Sequence, residues 1–139
     1  MGTELAATNV TRTYSLGATS IAIFTFMLFF LYPRYAQGQI NGLLFQGTLL
    51  GLGAATFSFV FASFYYYTAS LGGRFDDAER LQCSRRADRC WLIGYTLLLL
   101  VPSLVLFSLR LFVAGSGWFV LWLGYLLVVT RNFPRVRSD

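Results

Sequence analysis

The long apolar segments of this chain contain no aspartate, glutamate, lysine or histidine. Ionisable groups inside a membrane usually mark ion transport, proton relay or chemistry. Their absence disfavours a proton- or cation-coupled pump, and it leaves an intramembrane enzyme without an acid, a base or an activated nucleophile. We therefore expect a non-enzymatic protein.

Metal ligands are equally scarce. The chain has no His, and its two cysteines, Cys83 and Cys90, do not form a C-x-x-C pair. A structural zinc site needs about four ligands, so no metal and no cofactor are expected. On a straight helix, residues seven apart have Cα atoms about 10 Å apart, which is too far for a disulfide. Both cysteines are therefore predicted to be ordinary thiols.

What the chain does contain is apolar surface in long runs. It is 56% hydrophobic and only 12% charged, whereas a soluble domain carries about 25% charge. Runs of about 20 apolar residues match a bilayer core of about 30 Å, and backbone groups in lipid must be bonded within their own segment. We predict one all-α integral membrane domain over 1–139, built as two helical hairpins. Its four transmembrane helices lie at about 14–32, 43–71, 91–109 and 111–130.

Three of these segments carry irregular features. The fourth includes Gly115–Gly117 and leaves almost nothing for a turn around Arg110, so a re-entrant segment is the alternative there. Pro102 predicts a kink in the third. The first follows an acidic residue, Glu4, and precedes no small-x-small cleavage site, so we expect it to be retained rather than removed as a signal peptide.

The arginines predict the orientation. All basic residues are Arg; with a cytoplasmic N-terminus, nine of the 11 lie inside and only Arg34 and Arg110 lie outside. The positive-inside rule then places both termini in the cytoplasm, in a cell (inner) membrane. All-Arg usage with frequent Ala, Gly and Leu suggests a GC-rich bacterial genome.

The net charge of +5 does not predict a nucleic-acid partner. The membrane topology explains the excess of arginine, and no aromatic residue interleaves with the arginines as a stacking platform for bases would require.

The connection 72–90 is the most polar stretch. Gly72 and Gly73 are expected to end the second helix. Acidic residues come first and basic residues last, which suits a helix dipole, with Asp76 as a candidate N-cap and Ser84 and Asp88 as a pair four apart. We predict a cytoplasmic helical extension that runs unbroken into the third span. Five arginines are predicted to contact a partner, an anionic lipid headgroup or a ligand: Arg74, Arg80, Arg85, Arg86 and Arg89. A solvated hairpin with local ion pairs is the alternative.

Small residues form a ridge along the second span. In lipid, small residues at spacing four let helix backbones approach closely. This pattern predicts helix packing, within one chain or between chains, through Gly47, Gly51, Ala55, Ser58 and Ala62.

Polar and aromatic groups near the spans allow two further interpretations. Gln46, Thr48 and Ser103 are candidate pore-lining residues. Tyr65–Tyr67 and Trp91 fall near span ends, where aromatic rings suit the headgroup boundary, and we assign them no binding role.

The leading hypothesis is a protein that acts by helix–helix assembly. It would be an accessory subunit of a larger membrane complex, or a self-assembling homo-oligomeric channel or membrane effector surrounded by lipid. One alternative is a small passive transporter or pore for a solute or ion. The other is a membrane enzyme that uses the carboxylates Asp76, Asp77 and Glu79 at the cytoplasmic face.

Overall fold

Four long helices make up the computed structural model. It describes residues 2–71 and 76–132, and the side chains within 8–71, 76 and 78–131. No strand occurs in these described ranges. All four helices are long and apolar enough to cross a membrane, so the predicted four-helix membrane fold is confirmed. The helices are α1 (Gly2–Ala36), α2 (Gly42–Ser70), α3 (Asp77–Ser108) and α4 (Phe112–Asn132).

The helix boundaries follow the predicted spans closely, with one extension. Helix α1 has 35 residues and begins well before the predicted span, because its polar first turns also pack on the bundle through Val10. Helix α3 is a single helix of 32 residues that continues through Pro102, as predicted for an extension joined to the third span. The expected glycine stop at Gly72 and Gly73 lies outside the described residues.

Two tight turns connect the helices at one end of the bundle, which we call the turn end. After α1, Gly38 adopts φ 70°, and after α3, Arg110 adopts φ 62°. In each turn, backbone N–H groups return to the last helical turn in the Schellman pattern, including Leu111 N–H to Leu106 O at 2.9 Å. Arg110 thus makes the turn that the sequence left little room for, and α4 forms a full helix of 21 residues instead of a re-entrant segment.

Helix α2 lies at the centre and packs on both α1 and α3. In the middle of the bundle, Met27, Leu52 and Val101 form a buried cluster with one residue each from α1, α2 and α3. Small residues then allow a close approach of α2 and α3. A Cβ on Gly94 would lie 3.0 Å from the Phe59 ring and 3.2 Å from the Ala55 carbonyl oxygen.

Helix α4 packs extensively on α3 alone. Its two indole N–H groups donate to carbonyl oxygens of α3, Trp118 to Leu99 at 2.9 Å and Trp122 to Thr96 at 3.0 Å. Pro102 has no N–H group, so the Leu98 carbonyl oxygen lacks its usual helical donor, and Leu99 is the next residue along the chain. Neighbouring helices commonly satisfy backbone groups near a proline in this way.

Candidate functional site

A cleft of about 200 Å³ opens between α1, α2 and α3 at the opposite end of the bundle, which we call the connection end because the α2–α3 connection lies there. Its walls combine a cation, an anion, an amide, a hydroxyl, a phenol and an indole. The lining residues are Asn9, Arg12, Thr13, Tyr66, Asp88 and Trp91. This range of chemistry in one cleft makes it the best candidate for a binding site in the part of the chain that the structure describes.

The anionic wall is held by a hydrogen bond between helices. The Tyr66 hydroxyl donates to Oδ1 of Asp88 at 2.6 Å, a short distance typical of a bond to a charged acceptor. Tyr66 is 6% exposed and packs in a cluster with Ala62 and Ala87, both fully buried. The phenol therefore has a fixed position, while the Asp88 carboxylate lies on an exposed residue that faces solvent.

The cationic wall depends on an aromatic stack. The guanidinium carbon of Arg12 lies 5.5 Å from the centroid of the Trp91 ring, within the range of a cation–π interaction. Trp91 in turn stacks on Tyr95, with ring centroids 5.2 Å apart and an interplanar angle of 9°. Arg12, Trp91 and Tyr95 thus form one continuous stack that begins at the cleft.

The two charged residues of the cleft have different partners. Arg12 and Asp88 line the same cleft, yet neither belongs to an ion pair within the described side chains. Asp88 is oriented by Tyr66, and Arg12 is oriented by Trp91. The cleft therefore presents a separated cation and anion, which is an arrangement suited to a ligand that carries both charges.

The arginines predicted to contact lipid or a partner fall into two groups. Arg85, Arg86 and Arg89 are exposed on α3 and do not line the cleft. Arg80 is turned back towards α2, where its Nε donates to the Ala69 carbonyl oxygen at 3.2 Å. Arg74 lies outside the described residues.

The three acidic residues proposed for an enzyme site lie at the start of α3. Asp76 precedes the first helical residue, and its carbonyl oxygen accepts the Arg80 N–H at 3.0 Å, as expected of an N-cap position. Glu79 is exposed, and the Asp77 side chain lies outside the described residues. Within those residues, no group of three or more potential metal ligands comes together. Cys83 and Cys90 are both free and half-buried.

The predicted small-residue ridge divides between two faces of α2. Ala55 and Ala62 are fully buried within the chain. Gly47 and Gly51 turn outward, and a Cβ added to either would meet no atom within 4 Å. Ser58 is half-buried and bonds to the carbonyl oxygen of Ala54 in its own helix. The within-chain packing thus uses the alanines, and the glycine positions remain open.

The three candidate pore-lining residues have separate partners. Gln46 is exposed and donates from Nε2 to the Tyr35 hydroxyl at 3.0 Å. Thr48 is buried and donates to the Leu44 carbonyl oxygen of its own helix. Ser103 is buried and donates to the Gly115 carbonyl oxygen of α4 at 3.1 Å. Their hydrogen bonds hold helices and turns together and do not join them into one polar path.

Four residues of the cleft were not predicted from the sequence to belong to a binding site. Tyr66 and Trp91 were assigned to the membrane boundary, and Asn9 and Thr13 had no role. The spacing of four predicted Ser84, on the same helix, as the partner of Asp88, whereas its partner is Tyr66 on α2.

Comparisons with protein-family models, with curated proteins and with solved structures find no match to this chain.

Proposed function

We propose that this chain is a non-enzymatic multi-pass membrane protein that works by assembling with a second copy of itself. The observation that carries the proposal is the outward glycine face of α2. This face begins at Gly47 and Gly51 and continues through Ala54, which is exposed, and Ser58, which is half-buried.

The opposite side of α2 is already used. Ala55 and Ala62 are fully buried where α2 meets its neighbours, and Leu52 joins the central cluster. On the glycine face, by contrast, the α2 backbone is open to whatever lies beside it. Small residues in lipid let two helix axes approach closely, and the resulting dispersion contacts and weak Cα–H···O bonds drive association. This face therefore supports close packing of another transmembrane helix.

The exposed arginines of α3 support a second contact, with lipid headgroups. Arg85, Arg86 and Arg89 lie on adjoining positions of one helix face and are exposed. A basic residue near an anionic membrane surface contributes about 1 kcal/mol to binding. We propose that this face binds anionic headgroups and so fixes the depth and orientation of the assembled helices. The cytoplasmic location of this end in an inner membrane is part of the same proposal and is supported by the distribution of arginine.

The test is the particle mass of the purified full chain in nanodiscs. We expect a defined homo-oligomer for the wild-type chain and a monomer for Gly51→Leu, because the leucine side chain would hold the partner helix away. Gly124→Leu is the matched control, since Gly124 is also exposed and open on α4. A Gly51→Leu oligomer of unchanged mass contradicts the role of the glycine face. A monomeric wild-type chain contradicts self-assembly and directs the search to membrane subunits that co-purify.

A further inference from the structure

We propose that the cleft at the connection end binds a phosphoethanolamine group, the headgroup of a zwitterionic phospholipid. Asp88 binds the ammonium group, while Arg12 and Asn9 bind the phosphate. The proposal concerns a site separate from the glycine face and does not depend on self-assembly.

The separation of charge in the cleft is the first argument. Arg12 is held over Trp91, 5.5 Å from its ring centroid, and Asp88 is held by the Tyr66 hydroxyl at 2.6 Å. The two side chains therefore have different partners, although their charges are opposite and both line one cleft. A ligand that carries a cation and an anion on one short linker satisfies both at once. A purely anionic ligand would be repelled by Asp88, and a purely cationic ligand would be repelled by Arg12.

The donors on α1 define the anionic part of the ligand. A guanidinium presents N–H groups in a planar fork that matches the oxygen atoms of a phosphate. Asn9 lies one helical turn before Arg12 and lines the same wall, so its amide is placed to donate as well. Thr13 donates its hydroxyl to the Asn9 carbonyl oxygen at 2.6 Å and is thereby committed to its own helix.

The acceptor on α3 distinguishes a primary from a quaternary ammonium. A primary ammonium has three N–H donors and can hydrogen-bond the free oxygen of the Asp88 carboxylate. A quaternary ammonium has no donors and is recognised by open aromatic faces. In this cleft the Trp91 ring already carries the Arg12 guanidinium and stacks on Tyr95. The geometry therefore favours ethanolamine over choline.

The size and depth of the cleft agree with a headgroup. Its volume of about 200 Å³ is smaller than the roughly 300 to 1,000 Å³ of pockets that take drug-sized ligands. Trp91 is the first residue of the predicted third span, and Arg12 lies two residues before the predicted first span. The cleft is thus at the level where the apolar spans meet the headgroup layer, with the acyl chains of a bound lipid free to follow the helices into the bilayer.

The experiment is native mass spectrometry of the full chain, taken from nanodiscs that contain equal amounts of phosphatidylethanolamine, phosphatidylcholine and phosphatidylglycerol. We expect the wild-type chain to retain phosphatidylethanolamine about tenfold over phosphatidylcholine, the ratio that one hydrogen bond to a charged group supplies. Asp88→Asn should remove this preference, because the ammonium loses its charged acceptor, whereas Arg12→Gln should lower the retention of both zwitterionic lipids, because both carry the phosphate. Glu79→Gln is the matched control for Asp88→Asn, because Glu79 is an exposed acid on α3 that does not line the cleft.

Two outcomes overturn the proposal: equal retention of the two zwitterionic lipids by the wild-type chain, or an undiminished preference for phosphatidylethanolamine in Asp88→Asn together with undiminished lipid retention in Arg12→Gln. Competition by free phosphoethanolamine then identifies the source of the group. Displacement of the lipid by millimolar free ligand supports a site that accepts the group from either source. A preference that survives the competitor supports a site that takes the group only from lipid. Loss of the glycine-face oligomer in Gly51→Leu, with the lipid preference intact, would separate the two proposals.

Discussion

The Tyr66 hydroxyl and the Asp88 carboxylate, 22 residues apart in the chain, are joined by a 2.6 Å hydrogen bond between α2 and α3. The bond leaves a buried ring on one side and an exposed acid on the other. It therefore serves two purposes. It stabilises the packing of the two helices at the connection end, and it fixes the direction of the carboxylate in the cleft.

Replacing Tyr66 with Phe tests both purposes. Loss of the hydroxyl should lower the free energy of unfolding by about 1.5 kcal/mol, the lower end for a hydrogen bond to a charged group, because the exposed acceptor can return to water. Reversible unfolding by SDS in mixed micelles measures this change. Tyr67→Phe is the control, because Tyr67 is 56% exposed on the same helix. Equal stabilities of the two variants would show that the bond contributes nothing.

Replacing Arg85 and Arg86 together with Gln should reduce the anionic lipid that remains with the chain. At about 1 kcal/mol per residue near the surface, each arginine contributes about a fivefold preference. The measurement is the number of phosphatidylglycerol molecules retained after transfer from nanodiscs. Replacement of both residues with Lys keeps the charges and should keep the lipid. If the Gln pair retains as much as the wild-type chain, the α3 arginines are not a headgroup site.

Replacing Gly115 with Leu should loosen α4 from α3. A Cβ at Gly115 would lie 2.9 Å from a ring carbon of Phe107, so the added side chain forces the helices apart at a cost of about 2 kcal/mol. SDS unfolding again gives the value. Gly117→Leu, two residues further along α4, meets no atom within 4 Å and should leave stability unchanged. A Gly115→Leu chain as stable as this control would show that the Phe107 ring can move aside at little cost in free energy.

Labelling of single cysteines tests the predicted orientation. In a cysteine-free background, Gln82→Cys marks the connection end and Gln39→Cys marks the turn end, and both glutamines are exposed. A membrane-impermeant maleimide should reach position 39 in right-side-out vesicles and position 82 in inside-out vesicles. The reverse pattern would contradict the assignment made from the arginines.

The architecture was predictable because lipid leaves few choices for backbone and side chain. Apolar runs had to be helices, and the ends of α2 and α4 lie within two residues of the predicted span ends. Asp76 was recognisable as a helix start from local chemistry alone. The tight turn at Arg110 was not, because a positive φ is unusual for any residue other than glycine.

The cleft was not predictable, because its contacts link distant parts of the chain. Aromatic residues at span ends give the same sequence pattern whether their rings face lipid or a neighbouring helix. Trp91 at such an end lies against Arg12, and Trp118 and Trp122 bond to α3. Small residues are equally ambiguous: the same spacing of four includes buried Ala55 and open Gly51. Helical periodicity identifies a face, but only the bundle decides what that face meets.

The order of contacts along the chain bears on how the protein is made. Each extensive helix contact joins neighbours in sequence: α1 with α2, α2 with α3, and α3 with α4. During synthesis every helix after the first therefore enters the membrane next to a partner that is already present, and this local topology favours rapid folding. The cleft is built from α1, α2 and α3, so its lining is complete once these three helices have packed together, before α4 is added.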